Sequence, residues 1–271
     1  MTVAMKKTLA LMLLLAGITL KAQGRTLTWT GEGSSEWKPW DVTNWVDESG
    51  KPTVYQNGDD VVFAGRDKRT VTSFGVLPAS VLVENSKDND YTIQTATGAS
   101  SGFSGDMALT KKGDGNLSLL CSNPYTGGTY IHGGIVAVYK ADSLGSGTVH
   151  LYGGGLEICE RYIATDVIVE GNASLGGRIG NGALTLCENS RLTVNNFLIG
   201  SSRDAIIKDG ATLDLAERYI KGYAGGMSFG VIRVGNSSIG NGEIRNCMLN
   251  VEAGKTLTLL ANTSATSGTV F

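Results

Sequence analysis

Apolar and polar residues alternate along most of this chain. Leu117-Ser118-Leu119, Ile135-Val136-Ala137-Val138, Leu156-Glu157-Ile158, Leu184-Thr185-Leu186, Leu192-Thr193-Val194, Leu213-Asp214-Leu215 and Leu257-Thr258-Leu259 each place apolar residues at i and i+2. Period two is the pattern of a half-buried strand. Each run is bounded by Gly, Asn or Asp, the residues that turn a chain most cheaply. Upstream, Thr70-Val71-Thr72, Ser80-Val81-Leu82-Val83 and Tyr91-Thr92-Ile93 read as short strands, and residues 98–105 as a Gly/Ser loop. No stretch beyond the N-terminus sustains the i, i+3, i+4, i+7 pattern of a helix, so an all-β fold is expected.

The strands echo one another. Gly155-Leu156-Glu157-Ile158-Cys159-Glu160 returns as Ala183-Leu184-Thr185-Leu186-Cys187-Glu188, an offset of 28. The run Leu156 to Ile163 returns as Leu213 to Ile220, an offset of 57, and Ile179-Gly180-Asn181-Gly182 recurs at Ile239-Gly240-Asn241-Gly242. A period of roughly 20–30 residues built from short strands and glycine turns predicts a solenoid, in which no rung buries its own apolar face and each is covered by its neighbours. That reading is favoured over a β-sandwich with chance echoes. Stacked rungs bring equivalent positions to about 4.8 Å. Cys159 and Cys187, equivalent in the 28-residue echo, therefore form a candidate disulfide or two small buried hydrophobes; disulfide geometry allows the former and free buried Cys is common.

Composition sharpens this. Glycine supplies 38 of 271 residues and proline only 4, as a chain of many tight turns requires. Net charge is −2 with both signs scattered, which leaves no basic stripe for nucleic acid. Four cysteines (Cys121, Cys159, Cys187, Cys247) show no CxxC spacing, and His132 and His150 have no ligand-like companion nearby in sequence, so no metal or cofactor is expected. At the N-terminus, Lys6 and Lys7 precede an apolar run from Leu9 to Leu20, with Ala22 before Gln23 as a cleavage point. The run is too short for a stable membrane span of about 20 residues. Residues 1–22 are thus expected to be a cleaved signal peptide, with no membrane span afterwards, and the protein to be secreted or displayed at the cell surface.

Two segments carry a family resemblance. Leu109-Thr110-Lys111-Lys112-Gly113-Asp114-Gly115-Asn116-Leu117-Ser118-Leu119, then Asn123-Pro124-Tyr125-Thr126-Gly127-Gly128-Thr129, then Gly133-Gly134-Ile135-Val136-Ala137-Val138 and Ser143-Leu144-Gly145, resemble the autotransporter-associated β-strand repeat. Asn116 stands where that pattern has Thr or Ser, and Ile135-Val136 where it has Thr-Leu. Trp29-Thr30-Gly31, Thr43-Asn44-Trp45 and Gly58-Asp59-Asp60-Val61-Val62-Phe63 resemble the block that precedes such repeats. The resemblance implies a right-handed parallel β-helix of the passenger type, from a Gram-negative-type bacterium, without catalysis. The expected division is an aromatic N-terminal β segment or cap over 23–105 and a β-helix repeat region over 106–271. The repeats leave no room for an autotransporter's own translocation barrel, so outer-membrane export machinery would be supplied separately; a self-contained secreted protein and a piece of a larger one both stay open.

Candidate chemistry is sparse. Parallel β-helices can host carbohydrate-processing sites, which need facing carboxylates. The acids at hand are Asp59, Asp60, Glu157, Glu160, Asp214 and Glu217, with Arg161 and Arg218 close by. Glu157 and Asp214 fall at one echo position and are expected to face outward on a solvated face, Glu160-Arg161 and Glu217-Arg218 to be exposed ion pairs, and Asp59-Asp60 to make a turn. No catalytic residue is expected. Trp37, Trp40 and Trp45 remain as weak candidates for ligand binding, since exposed indole faces stack on sugars; the favoured alternative is a cap over the open end of the solenoid. Expected partners are surface glycans or host matrix components.

Overall fold

A computed structural model describes residues 24–65, 69–159, 162–199, 203–221, 232–245 and 248–265. Residues 1–22, expected to be a signal peptide, and Glu160, Arg161, Cys247 and Phe271 lie outside them. Every regular element described is a strand, and no described helix is long and apolar enough to cross a membrane.

The chain winds as a β-solenoid with two long parallel walls. Wall A contains, in order, Thr26–Trp29, Asp60–Phe63, Ser80–Glu84, Leu109–Lys112, Thr129–Ile131, Val149–Leu151, Val167–Val169, Leu184–Leu186, Ala205–Ile207, Ile232–Val234 and Leu249–Val251. Wall B takes the alternate strands: Glu36–Trp37, Thr70–Ser73, Tyr91–Thr95, Leu117–Leu119, Ile135–Val138, Gly155–Ile158, Asn172–Arg178, Arg191–Ile199, Thr212–Asp214, Ser237–Gly240 and Leu257–Leu259. A third, shorter wall grows where Asn172–Arg178 and Arg191–Ile199 bulge and extend, and it continues through Tyr219–Lys221, Glu243–Arg245 and Ser264–Ala265. Earlier in the chain that side is closed by single bridges such as Val76 with Phe103.

Alternation explains the core. In wall A, Val61, Val81 and Leu109 stack in one inward column, and Phe63, Val83, Lys111, Ile131, Leu151, Val169, Leu186, Ile207 and Val234 in another. In wall B, Tyr91, Leu117, Val136, Leu156, Leu175 and Val194 do the same. These side chains are almost wholly buried, and a buried Val, Leu or Ile contributes about 1.5–3 kcal/mol that a lone rung would forfeit. One turn takes 20 residues from Leu109 to Thr129 and again from Thr129 to Val149, then 18 to Val167.

This register corrects the echo arithmetic. Gly155–Ile158 belongs to wall B and Leu184–Leu186 to wall A, so the 28-residue echo joins different walls. The 57-residue echo joins wall-B strands three turns apart, two residues short of the paired register that carries Gly155 through Ser174 and Thr193 to Asp214. The change in sequence character at 105/106 has no counterpart in the ladders, because Val81 to Glu84 pair directly with Leu109 to Lys112 across it.

The two ends differ. At the front, Trp45–Val46 folds back antiparallel on Thr28 and Trp29, and Pro52–Thr53 adds an outer strand in which Pro52 lacks a donor. Behind that lid Trp29, Trp37, Trp45, Tyr55 and Phe63 nest with ring centroids 5.0–5.9 Å apart. In the last described rung, Val251 and Leu259 continue the inward columns but are 39% and 49% exposed.

Candidate functional site

The three tryptophans singled out from the sequence separate. Trp37 and Trp45 are 0% and 1% exposed, packed against Tyr55, Phe63 and each other; no ligand can reach their faces. Trp40 is 68% exposed. Its backbone sits at φ 65, a conformation costly for a bulky residue, and its N–H donates to the Tyr55 carbonyl at 3.0 Å, which pins it there. Beside it Lys38 pairs with Glu36 at 3.0 Å and with Asp41, and lies over the Phe74 ring.

Cys159 and Cys187 do not meet. They end strands of different walls, and both thiols are free. The Cys159 amide hydrogen-bonds to Val138, and its thiol lies beside the Tyr139 hydroxyl, whose pKa it raises. Cys121 is buried; burial pushes its thiol up to about 11 despite a bond to Asn123.

The acids are structural. Asp59 accepts two bonds from the Arg25 guanidinium, at 3.1 and 2.7 Å, and one from the Gln56 amide at 2.8 Å, fixing a turn. Asp60 accepts from Ser80. Glu157 and Asp214 are not equivalent: Glu157 pairs with Gly176, whereas Asp214 aligns with Thr193, Ser174 and Gly155, two residues out of step. Nor is Asp214 on a solvated face. It is nearly buried, and although burial works against ionisation, the Ala216 amide, Asn241 and Arg191 hold its carboxyl below the usual range. Glu217 and Arg218 are exposed at a corner. Among the described residues no three His, Cys, Asp or Glu side chains are grouped as a metal site would need.

One cluster escaped the sequence reading. Tyr130 and His150 face outward at paired positions of wall A, and their rings stack with centroids 5.0 Å apart at 8°. One step along the same two rungs, His132 and Tyr152 stack at 4.7 Å and 7°, and His150 lies 6.2 Å from Tyr152. These spacings equal the rise of one rung, so the ring planes lie across the solenoid axis. The faces cover one another and the edges, with their hydroxyls and ring nitrogens, point to solvent. On the next rung Glu170 accepts a 2.6 Å bond from His150 Nδ1, which fixes the imidazole's orientation. Burial and then the Glu170 carboxylate raise the pKa of the Tyr152 hydroxyl, keeping it a donor. The signal was present as Tyr130-x-His132 and His150-x-Tyr152, 20 residues apart; a period of 28 hid it.

In comparison with curated proteins, this chain is similar to the Adhesin BmaC autotransporter of Brucella suis biovar 1 (strain 1330). The two are 28% identical over 167 residues, which covers 52% of this chain and 5% of that much longer protein. No family model matches the chain, and no solved structure does. Together with the stacked parallel walls, the similarity fits a passenger-type, adhesin-like β-helical protein.

Proposed function

We propose that this chain is a non-enzymatic, exported segment of a bacterial surface or secreted adhesin, built from autotransporter-associated β-strand repeats. Its work is mechanical and interfacial: a stiff stack of backbone ladders that holds outward side chains at fixed spacing for contact with glycans or host matrix. The observation that carries this reading is the run of parallel strand pairs that continues through walls A and B from Thr26 to Leu259, interrupted by one bulge at Leu175–Gly177. Similarity to part of an autotransporter adhesin supports the same reading.

Two measurements test it. An immunoblot of the native protein across cell fractions and medium should find it on the surface or in the medium; a cytoplasmic pool would sink the proposal. Beads coated with the purified chain should adhere to cells or matrix above albumin-coated beads, and equal adhesion would remove the adhesive role.

A further inference from the structure

The outward block on wall A has a surface chemistry that the rest of the described stack lacks. Above and below it the same outward column holds Thr110 and Ile168, paired with Tyr130 and His150 respectively. Among the described residues, only here do four planar polar rings stand side by side, two on each of two rungs. Tyr152 is 39% exposed and His132 is exposed too. Their arrangement decides what they can bind. One face of each ring lies against its partner, and Thr110 and Ile168 occupy the next rungs beside the outer faces of Tyr130 and His150, so the block meets solvent mainly through its ring edges. What reaches solvent is a grid of ring edges carrying phenolic hydroxyls, which both donate and accept, and imidazole nitrogens. His150 donates from Nδ1 to Glu170, which in the neutral ring leaves Nε2 as an acceptor. A set that both donates and accepts suits hydroxyl groups, which are themselves both donor and acceptor. The two rungs of the grid stand 4.7–5.0 Å apart, on the scale of one sugar ring.

We infer that Tyr130, His132, His150 and Tyr152 form a contact site for a neutral polysaccharide laid along the solenoid axis and held through its hydroxyls. The inference deepens the adhesin reading and rests on it. The side chains are preordered by stacking, so little rotamer entropy is lost when a ligand binds. Glu170 acts as a positioning residue, holding His150 without touching the ligand.

The test replaces the polar edges and keeps the rings. A Y130F/H132F/Y152F triple variant retains four stacked rings but loses two hydroxyls and an imidazole. Wild type and variant would be titrated against a panel of neutral oligosaccharides (β-glucan, mannan and xylan series), with polygalacturonate as a charged comparator and melting temperature as the fold control. Saturable binding to one or more neutral members, weakened at least tenfold in the variant at unchanged melting temperature, supports the site. No neutral binding by wild type, equal binding by the variant, or salt-sensitive binding of polygalacturonate alone overturns it. In the bead assay, adhesion that survives the triple variant removes this site and leaves the adhesin reading standing. Absence of adhesion by wild type removes the adhesin reading itself.

Discussion

Lys111 lies in the middle of an apolar column, between Val83 and Ile131, and is fully buried. Its ammonium donates to the carbonyls of Lys112, Gly113 and Gly133 at 2.5, 3.0 and 3.3 Å, so each of its three protons has an acceptor. Burial nonetheless pushes its pKa down to about 8 from 10.5, with the carboxylates of Asp114, Asp90 and Glu84 offsetting only part. The unfolded chain holds this proton to about pH 10.4. Below pH 8 both states are protonated and the cost of the buried charge is fully present. Between about 8 and 10.5 the unfolded state binds more protons, so the contribution of Lys111 to stability rises with pH. The rise is about 3 kcal/mol, at ~1.36 kcal/mol per pH unit.

Other groups titrate in the same window with the opposite sign. Cys121, raised to about 11, keeps its proton longer in the folded state and costs stability as pH climbs from 9. A Lys111→Met comparison cancels that background. At pH 7 the variant leaves three carbonyls without their donor, at about 1–3 kcal/mol each if unrelieved, but also removes the buried charge. A net loss of about 2 kcal/mol is expected. The gap between wild type and variant should then widen by about 3 kcal/mol from pH 8 to 10.5, read from urea unfolding followed by far-ultraviolet circular dichroism. A gap independent of pH would refute the reasoning, and one that narrows would show that the carbonyl cage outweighs burial.

The remaining predictions concern the cap, a turn and the thiols. Trp37→Ala should cost about 3–5 kcal/mol by opening a cavity in the aromatic nest, whereas Trp40→Ala, with its ring in solvent, should shift stability by less than about 0.5 kcal/mol; thermal melts of the two decide it. Gly134→Ala should cost about 3 kcal/mol or more, because its φ of +63 is unfavourable for alanine and the new methyl would sit against the Gly115 carbonyl and the Lys111 ammonium. Gly50→Ala, at φ +78 with nothing within 4 Å, should lose only about 1 kcal/mol; chemical denaturation of both compares them. Native labelling with iodoacetamide should modify Cys159 quickly and Cys121 only on unfolding, and non-reducing peptide mapping should recover Cys159 and Cys187 unlinked.

The strands were legible because period two is a local property: Leu117, Leu119, Leu184, Leu186, Leu192 and Val194 all turn inward as their alternation requires. The wall to which each strand belongs was not legible. Both walls use the same Leu-x-Leu grammar, so Leu156-Glu157-Ile158 and Leu184-Thr185-Leu186 look like one position although they face each other's flank of the solenoid. The matched Glu157 and Asp214 share wall B and failed because their strands run two residues out of step, whereas the stacked cysteines failed with the choice of wall. The Tyr–His block went unseen for the same reason. Lys111 was hidden differently: its neighbours in sequence, Lys112 and Asp114, are a solvated turn's residues, and only the fold shows that its alternation partner is Val83.

A solenoid also changes what a site is. In a globular enzyme, function gathers where loops converge on a cleft, and buried carboxylates with shifted pKa values are its usual mark. Here shifted groups such as the corner-forming Asp214, the caged Lys111 and the sealed Cys121 are spent on holding one rung to the next. Side chains free to meet a partner lie instead on the outward half of each alternating strand, where the backbone repeats them every rung. Any recognition by such a surface must come from neighbouring rungs that carry like residues in step. Along wall A that occurs over two rungs, at Tyr130 with His150 and His132 with Tyr152. Trp40, however accessible, belongs to none of the stacked ring pairs found among the described residues.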